Sequence, residues 1–245
     1  MTIASIIIPT YNGLDLLQRC VQSIRRYTEQ AHEIIVVDNG SRDETAAWCL
    51  RERITLVSLP RNEGFPVACN KGMRFASGDT IVLLNNDTVV TSNWLHNLST
   101  ALLSSPDVGL VGPVTNYASG SQQVHYPFED LEEFQRIAEA VNVPDPAKWK
   151  RVERIVGLCF VFRRELMEKI GMLDERFSPG HYEDDDYCLR ARLHGFGLLV
   201  CHDALIYHEG SASFKREGSQ EQAHLVERNY RLFMDKWQLD PRAFV

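Results

Sequence analysis

Four carboxylates stand in a row at Glu183-Asp184-Asp185-Asp186, bracketed by Tyr182 and Tyr187. Neighbouring carboxylates repel one another. On a helix each is turned by about 100° from the last, so Glu183 and Asp186 share a side while Asp184 faces elsewhere. A helix N-terminus offsets part of the repulsion through its dipole, and a cation or a raised pKa offsets more. The run has two readings: a carboxylate set for proton transfer, or a solvated acidic helix start, which the flanking tyrosines disfavour. Asn85-Asn86-Asp87 follows the apolar Leu83-Leu84. A carboxylate there is placed to hold a hard divalent cation together with phosphate oxygens, or simply to make a turn. His208, in Tyr207-His208-Glu209-Gly210, reads alone as a packed residue and gains weight as a ligand only beside the carboxylates.

A third kind of chemistry is available near the N-terminus. Pro9-Thr10-Tyr11-Asn12 and Asp38-Asn39-Gly40-Ser41 combine an aromatic face, a carboxylate and small polar groups. That set suits a nucleoside, and it also suits two turns with ordinary helix caps. Asn62-Glu63-Gly64-Phe65 and Asn70-Lys71-Gly72 add a glycine able to take positive φ. No phosphate-binding G-x-x-x-x-G-K-[ST] loop and no G-x-G-x-x-G is present.

The elements that carry these residues alternate. Strands are predicted at 3–9, Glu33–Val37, Ile54–Leu59, Asp79–Leu84 and Val108–Val111. Helices are predicted through Leu14, Leu17, Val21 and Ile24, from Asp43-Glu44-Thr45 onward, at Val67–Ala76 and at Trp94–Leu103. Apolar strands alternating with helices imply an α/β fold, a mostly parallel sheet covered on both faces. Ligands on such sheets sit at the carboxyl ends of the strands, where Thr10–Asn12, Asp38-Asn39 and Asn85–Asp87 all fall. Beyond residue 115 the pattern changes to a loop at 116–128, a helix at Leu131–Val141 and a linker-like stretch at 144–151. A strand at Arg154–Phe162, a helix at Glu183–Leu193, a strand at Leu198–Val200 and an amphipathic helix at Gln220–Trp237 complete the prediction. The expected organisation is a single domain over 1–245, with a nucleotide half at 1–115, an acceptor half at 116–218 and a tail helix at 219–245.

The 245 residues carry a net charge of −7. An acidic chain is a poor partner for nucleic acid, which needs a basic stripe. No apolar run approaches the roughly 20 residues of a membrane span. The N-terminal residues have neither the basic region nor the cleavage site of a signal peptide. The six cysteines include no C-x-x-C pair, so reduced thiols in a cytoplasmic protein are expected and a zinc site is not.

Taken in order, these segments resemble the inverting family 2 glycosyltransferases of GT-A fold, over about residues 4 to 215. Ser5 to Asn12 is similar to that family's first strand and nucleotide shelf, Glu33 to Ser41 to its second nucleotide motif, and Asn62 to Phe65 to its third. Leu84 to Asp87 stands where the family carries D-x-D. Gly157 to Arg164 and Leu173 to Phe177 resemble its acceptor-side core, and Glu183 to Asp186 its E-D-x-D motif.

The resemblance implies roles. Asp184 is the general base, with Glu183 beside it. Pro9, Thr10, Tyr11, Asn12, Asp38, Asn39, Ser41, Asn62, Gly64, Asn70 and Asn86 hold the nucleotide. Asp87, Asn85 and His208 hold Mg²⁺ or Mn²⁺, and Gly157 and Asp186 meet the acceptor. Asn85 departs from the motif, bringing an amide where an Asp brings charge. This variant resembles the rhamnosyltransferase and surface-glycan branch, which implies a dTDP- or UDP-sugar donor and a glycan or surface-protein acceptor. A homodimer, or peripheral association at the inner face of a membrane, is compatible with that branch. Two other functions fit less well. A sugar-1-phosphate nucleotidyltransferase wants a glycine- and basic-rich loop where Pro9 to Gly13 stands, and a binding module without catalysis has no use for the intact acidic run.

Overall fold

A computed structural model describes residues 3–210 and 219–244. The expected junction between the acceptor half and the tail, up to residue 218, lies partly outside them. In chain order the elements are β1 (Ala4–Thr10), α1 (Leu14–Tyr27), β2 (His32–Asp38), α2 (Thr45–Arg51), β3 (Thr55–Ser58), α3 (Phe65–Phe75), β4 (Thr80–Leu84), β5 (Thr88–Val89) and α4 (Trp94–Leu102). They continue with β6 (Val108–Thr115), α5 (Leu131–Val141), β7 (Trp149–Val152), β8 (Cys159–Arg163), α6 (Arg164–Ile170), α7 (Glu183–Leu193), β9 (Gly197–His208) and α8 (Ser219–Trp237).

The strands form one sheet in the order β3-β2-β1-β4-β8-β6-β9-β5, with β7 also on β9. β1 is buried along its whole length because helices cover both faces. Its alternate residues enter opposite cores. Ile6 and Ile8 join Leu17, Val21 and Ile24 of α1, Trp48 of α2 and Trp94 of α4. Ile7 instead joins Met73 of α3, Phe134 of α5, Leu166 of α6 and Tyr187 of α7. Each fully buried side chain of this kind contributes about 1.5–3 kcal/mol.

The sheet is mixed rather than mostly parallel. β3, β2, β1 and β4 run parallel, as do β6 and β9. β8 lies antiparallel between β4 and β6. That inversion brings the start of β8, not its end, beside the carboxyl end of β4: Leu84 faces Cys159, and the Asn85 N–H donates to the Leu158 carbonyl at 2.9 Å.

Three predicted boundaries are corrected. The strand expected at Arg154–Phe162 begins only at Cys159, because 154–158 turns across the ligand edge. The linker-like 144–151 contains most of β7, an antiparallel edge strand whose Lys150 and Arg151 face solvent. β9 continues eight residues past Val200, through an irregularity in its pairing between Pro113 and Val114 of β6.

α8 packs on its own chain. Phe233 is buried with Phe177 and Leu189. Among the described residues no helix is long and apolar enough to cross a membrane. All six cysteines are unpaired and buried.

Candidate active site

A cavity of about 950 Å³ opens at the carboxyl ends of β1 and β4. Pro9, Thr10, Tyr11, Asn12, Asn39, Asn62, Gly64, Asn85, Asn86, Asp87, Gly157, Glu183, Asp184 and His208 all line it. Fourteen expected site residues, scattered over nearly 200 positions, therefore meet at one hollow. A smaller hollow of about 300 Å³ adjoins it behind Ser119, Arg154 and Val156.

One wall is a polar shelf. The Asn39 side chain is its hub: Nδ2 donates to Asn62 Oδ1 at 2.9 Å and to the Gly64 carbonyl at 3.2 Å, while Oδ1 accepts from the Glu63 N–H at 2.9 Å. Asn12, at φ 48°, accepts from the Arg42 N–H and donates its own N–H to Ser41 Oγ. Asn86 Nδ2 donates to Thr10 Oγ1 at 2.8 Å. Tyr11 stands at the rim, 39% exposed, with a ring available for stacking. Gly64 has φ 93°, and a Cβ there would lie 2.6 Å from the Pro179 Cα.

At the second wall Asp87 and His208 come together. β5 pairs with β9 so that Thr88 faces His208, which brings Asp87 Oδ1 to 3.2 Å from His208 Nε2. The other ring nitrogen, Nδ1, lies 2.8 Å from the Tyr117 carbonyl. Because a carbonyl only accepts, Nδ1 carries the proton and Nε2 faces the cavity wall. Burial works against charge on this ring, but the Asp87 carboxylate and the Tyr117 carbonyl outweigh it and raise its pKa above the ordinary value. Nε2 is buried and takes no well-directed hydrogen bond. A buried ring nitrogen of this tautomer beside a carboxylate, with the Asn85 amide lining the same cavity, is a donor set that fits a divalent cation. Among the described residues no three His, Cys, Asp or Glu side chains converge to form a cation cage. Diphosphate oxygens and water would have to complete the coordination.

The third wall is the N-terminus of α7. His181 and Tyr182 both take left-handed conformations, φ 73° and 69°, at a cost of about 1–3 kcal/mol each. This turn sets the phase of the acidic run. Asp184 Oδ2 accepts from the Gly157 N–H and Oδ1 from the Asp185 N–H, both at 3.0 Å. Burial, then the Asp184 charge, pushes the Glu183 carboxyl well above its ordinary pKa, and its Oε2 is buried without a partner. Burial and Asp184 likewise push Asp185 up to about 7, against the pull of Arg154, whose Nε lies 2.5 Å from Asp185 Oδ1. The burial that disfavours charge on Glu183 and the Arg154 cation both ease the crowding of charge around Asp184.

Four expected site residues stand apart from the cavity wall. Asp38 is 3% exposed and caps the shelf turn, Oδ1 accepting from the Ser41 N–H. Ser41 sits behind Asn12. Asn70, expected at the nucleotide, braces the opposite loop: Nδ2 donates to the Leu173 carbonyl and to Glu175, and Oδ1 accepts from the Leu173 N–H. Asp186, expected at the acceptor, is fully buried among Arg190, Lys236 and Trp237. Helical phase turns it toward α8. Conversely, Arg154, Pro179 and Arg242 line the cavity without having been singled out, and Asp185 and Tyr117 line it without having been given a site role. The need of a carboxylate run for a nearby cation was a signal for Arg154; nothing in the sequence pointed to Arg242.

The family model described as "Glycosyl transferase family 2" matches residues 5–171. An uncharacterized protein of Sinorhizobium fredii, y4gI, is 27% identical over 96% of this chain and 27% of its own length. The O-antigen biosynthesis protein RfbC of Myxococcus xanthus is 31% identical over 85% of this chain and 17% of its own length. The chain thus spans less than a third of both. The dTDP-rhamnosyl transferase RfbF of Shigella flexneri is 25% identical over 91% of this chain and 75% of its own. Among solved structures, the mannosyltransferase PcManGT of Pyrobaculum calidifontis, in complex with GDP-Man and Mn²⁺, superposes with a TM-score of 0.65 at 21% identity, over 86% of this chain and 59% of that one. This likeness is one of GT-A fold.

Proposed function

Because this chain belongs to glycosyl transferase family 2, we propose that it moves a sugar, with inversion, from a nucleotide-diphosphate donor to a hydroxyl of a glycan or surface-protein acceptor. The carrying observation is the convergence in one cavity of a polar shelf, the Asp87–His208 pair and Asp184. The name of the relative RfbF supports a dTDP-sugar, dTDP-rhamnose first, and a UDP-sugar is the alternative donor.

The nucleoside rests on the shelf, with Tyr11 stacking and Asn12, Asn39 and Asn62 ordering the edge. Asp38 supports the shelf from behind, accepting from the Ser41 N–H at the turn that backs Asn12. Asp87, His208 and Asn85 would hold Mg²⁺ or Mn²⁺. Such a cation, when bound, stabilises the charge of the departing diphosphate. Asp184 takes the proton of the acceptor hydroxyl, whose oxygen attacks the sugar carbon from the face opposite the diphosphate. A base within hydrogen-bond reach supplies about 10²–10⁴-fold. Burial and the Asp184 charge favour the protonated form of Glu183, which in that form has an O–H to donate to a sugar hydroxyl. Gly157 leaves the acceptor room beside Asp184, since even a methyl group there would press on that side chain.

Asp184→Asn tests the base. Transfer should fall about 10²–10⁴-fold to a residual rate, while calorimetric affinity for the nucleotide stays within about twofold. Turnover at the wild-type rate would sink the assignment.

A further inference from the structure

The tail helix braces the segment that leads into the acidic run, chiefly through one buried amide. Asn229 on α8 is 0% exposed. Its Nδ2 donates to the carbonyls of Phe177 and Gly180 at 2.7 Å and of His181 at 3.0 Å. Its Oδ1 accepts from Arg228 Nε at 2.9 Å and Nη2 at 2.8 Å, so the orientation of the amide is fixed by its neighbour. Arg228 Nη2 also bonds the Ser178 carbonyl. The remaining carbonyl of the segment, Pro179, accepts from the Phe65 N–H at 2.8 Å.

All five consecutive carbonyls of residues 177–181 are therefore held from outside the segment, four of them by two adjacent residues of α8. An irregular buried segment must find partners for its backbone groups, and this one finds them about 50 residues further along the chain. The segment ends in the left-handed pair His181-Tyr182, and Asp184 follows two residues later. On its far side α8 is fastened to the same helix as Asp184: Lys236 Nζ lies 2.5 Å from Asp186 Oδ1 and Trp237 Nε1 lies 2.8 Å from it. Both α7 and α8 lie beyond residues 5–171, where the family match ends.

We propose that Asn229 is a positioning residue for Asp184: by holding the 177–181 carbonyls it fixes the turn that aims the base into the cavity. Asn229 touches no substrate, and the inference rests on Asp184 being the base. Misplacement of a reacting group by about 1 Å costs on the order of 10²-fold.

The experiment compares wild type, Asn229→Ala, Asp184→Asn and the double variant. UDP, dTDP and GDP are titrated with Mn²⁺ by calorimetry. The sugar nucleotide of the tightest binder (UDP-GlcNAc, dTDP-rhamnose or GDP-mannose) is then turned over with water as the acceptor, read as release of the nucleoside diphosphate and the free sugar. Asn229→Ala should lower kcat about 10- to 100-fold, with nucleotide Kd within about twofold and a normal unfolding transition. In the Asp184→Asn background it should add no further loss, because the two residues act as one unit. An unchanged kcat, or an equal loss in both backgrounds, overturns the proposal. Should Asn229→Ala fail to fold, Arg228→Gln, on an exposed residue, takes its place: a severalfold drop in kcat supports the proposal and an unchanged one overturns it. Wild-type turnover that survives Asp184→Asn intact instead defeats the base assignment itself, and the positioning role with it.

Discussion

The backbone N–H of Gly157 donates to Oδ2 of Asp184 across 3.0 Å, from a segment 27 residues earlier in the chain. A Cβ at Gly157 would lie 3.2 Å from the Asp184 Cβ, closer than side chains ordinarily pack. Gly157→Ala should therefore displace the carboxylate by a few tenths of an ångström. The expected outcome is a fall in kcat of about tenfold with nucleotide affinity retained. Steady-state kinetics beside calorimetry checks it, and a loss confined to nucleotide affinity would count against the relationship.

Gly64 stands where the polar shelf meets the loop that leads to α7. Its φ of 93° and ψ of 166° lie in a region almost closed to other residues, and its missing Cβ makes room for Pro179 and Ser178. Gly64→Ala should cost about 1–3 kcal/mol in urea unfolding. It should also weaken nucleotide binding, because the Gly64 carbonyl is one of the Asn39 partners.

The Asp87–His208 pair predicts a split between two conditions. His208→Ala should reduce nucleotide affinity at least about tenfold in Mn²⁺ and leave it nearly unchanged in EDTA. Asn85→Asp, which adds a charge to the same donor set, should raise the affinity for the cation. Calorimetry in both media decides, and equal losses with and without metal would remove His208 from the cation site.

Glu183 yields a pH prediction. Its carboxyl is pushed above the ordinary range by burial and by Asp184. A carboxyl with a raised folded-state pKa holds its proton longer in the native protein than in the unfolded chain. Stability consequently falls as pH rises from the unfolded value toward the folded one. Glu183→Gln keeps the shape and removes that penalty, so the variant should be more stable than wild type above about pH 5. The difference should shrink in acid, and turnover should drop. Urea unfolding from pH 4 to pH 8 checks the sign; a variant less stable at neutral pH would contradict it.

How much of this was legible in the sequence follows from what local pattern encodes. The parallel strands up to Leu84 and their ligand edge could be read because buried strands are apolar throughout and end abruptly in polar residues. β9 could be followed only to Val200, because Asp203 interrupts the pattern although it is fully buried. Its carboxylate is satisfied by Trp149 Nε1 and the Asp145 N–H, partners more than 50 residues away. β7 looked like a linker because an edge strand with Lys150 and Arg151 on its open side carries little apolar signal. Asp186 shared its residue type and run with Asp184, yet a rotation of about 200° along the helix gives one to the cavity and the other to α8. Types and spacing located the site, while the division of labour inside it depended on which way the helix turns.

The reversed strand β8 also has a temporal meaning. β4 ends at Leu84, and β8, its partner on that side, is complete only at Arg163. At a synthesis rate of about 5–20 residues per second, the 79 residues between these points take roughly 4–16 seconds to emerge. Through that interval one edge of β4, apolar from Ile81 to Leu84, has no hydrogen-bonding partner from its own sheet, the kind of edge that recruits another chain. Yield in a translating system should therefore depend on nascent-chain holdases more steeply than the stability of the finished protein would suggest.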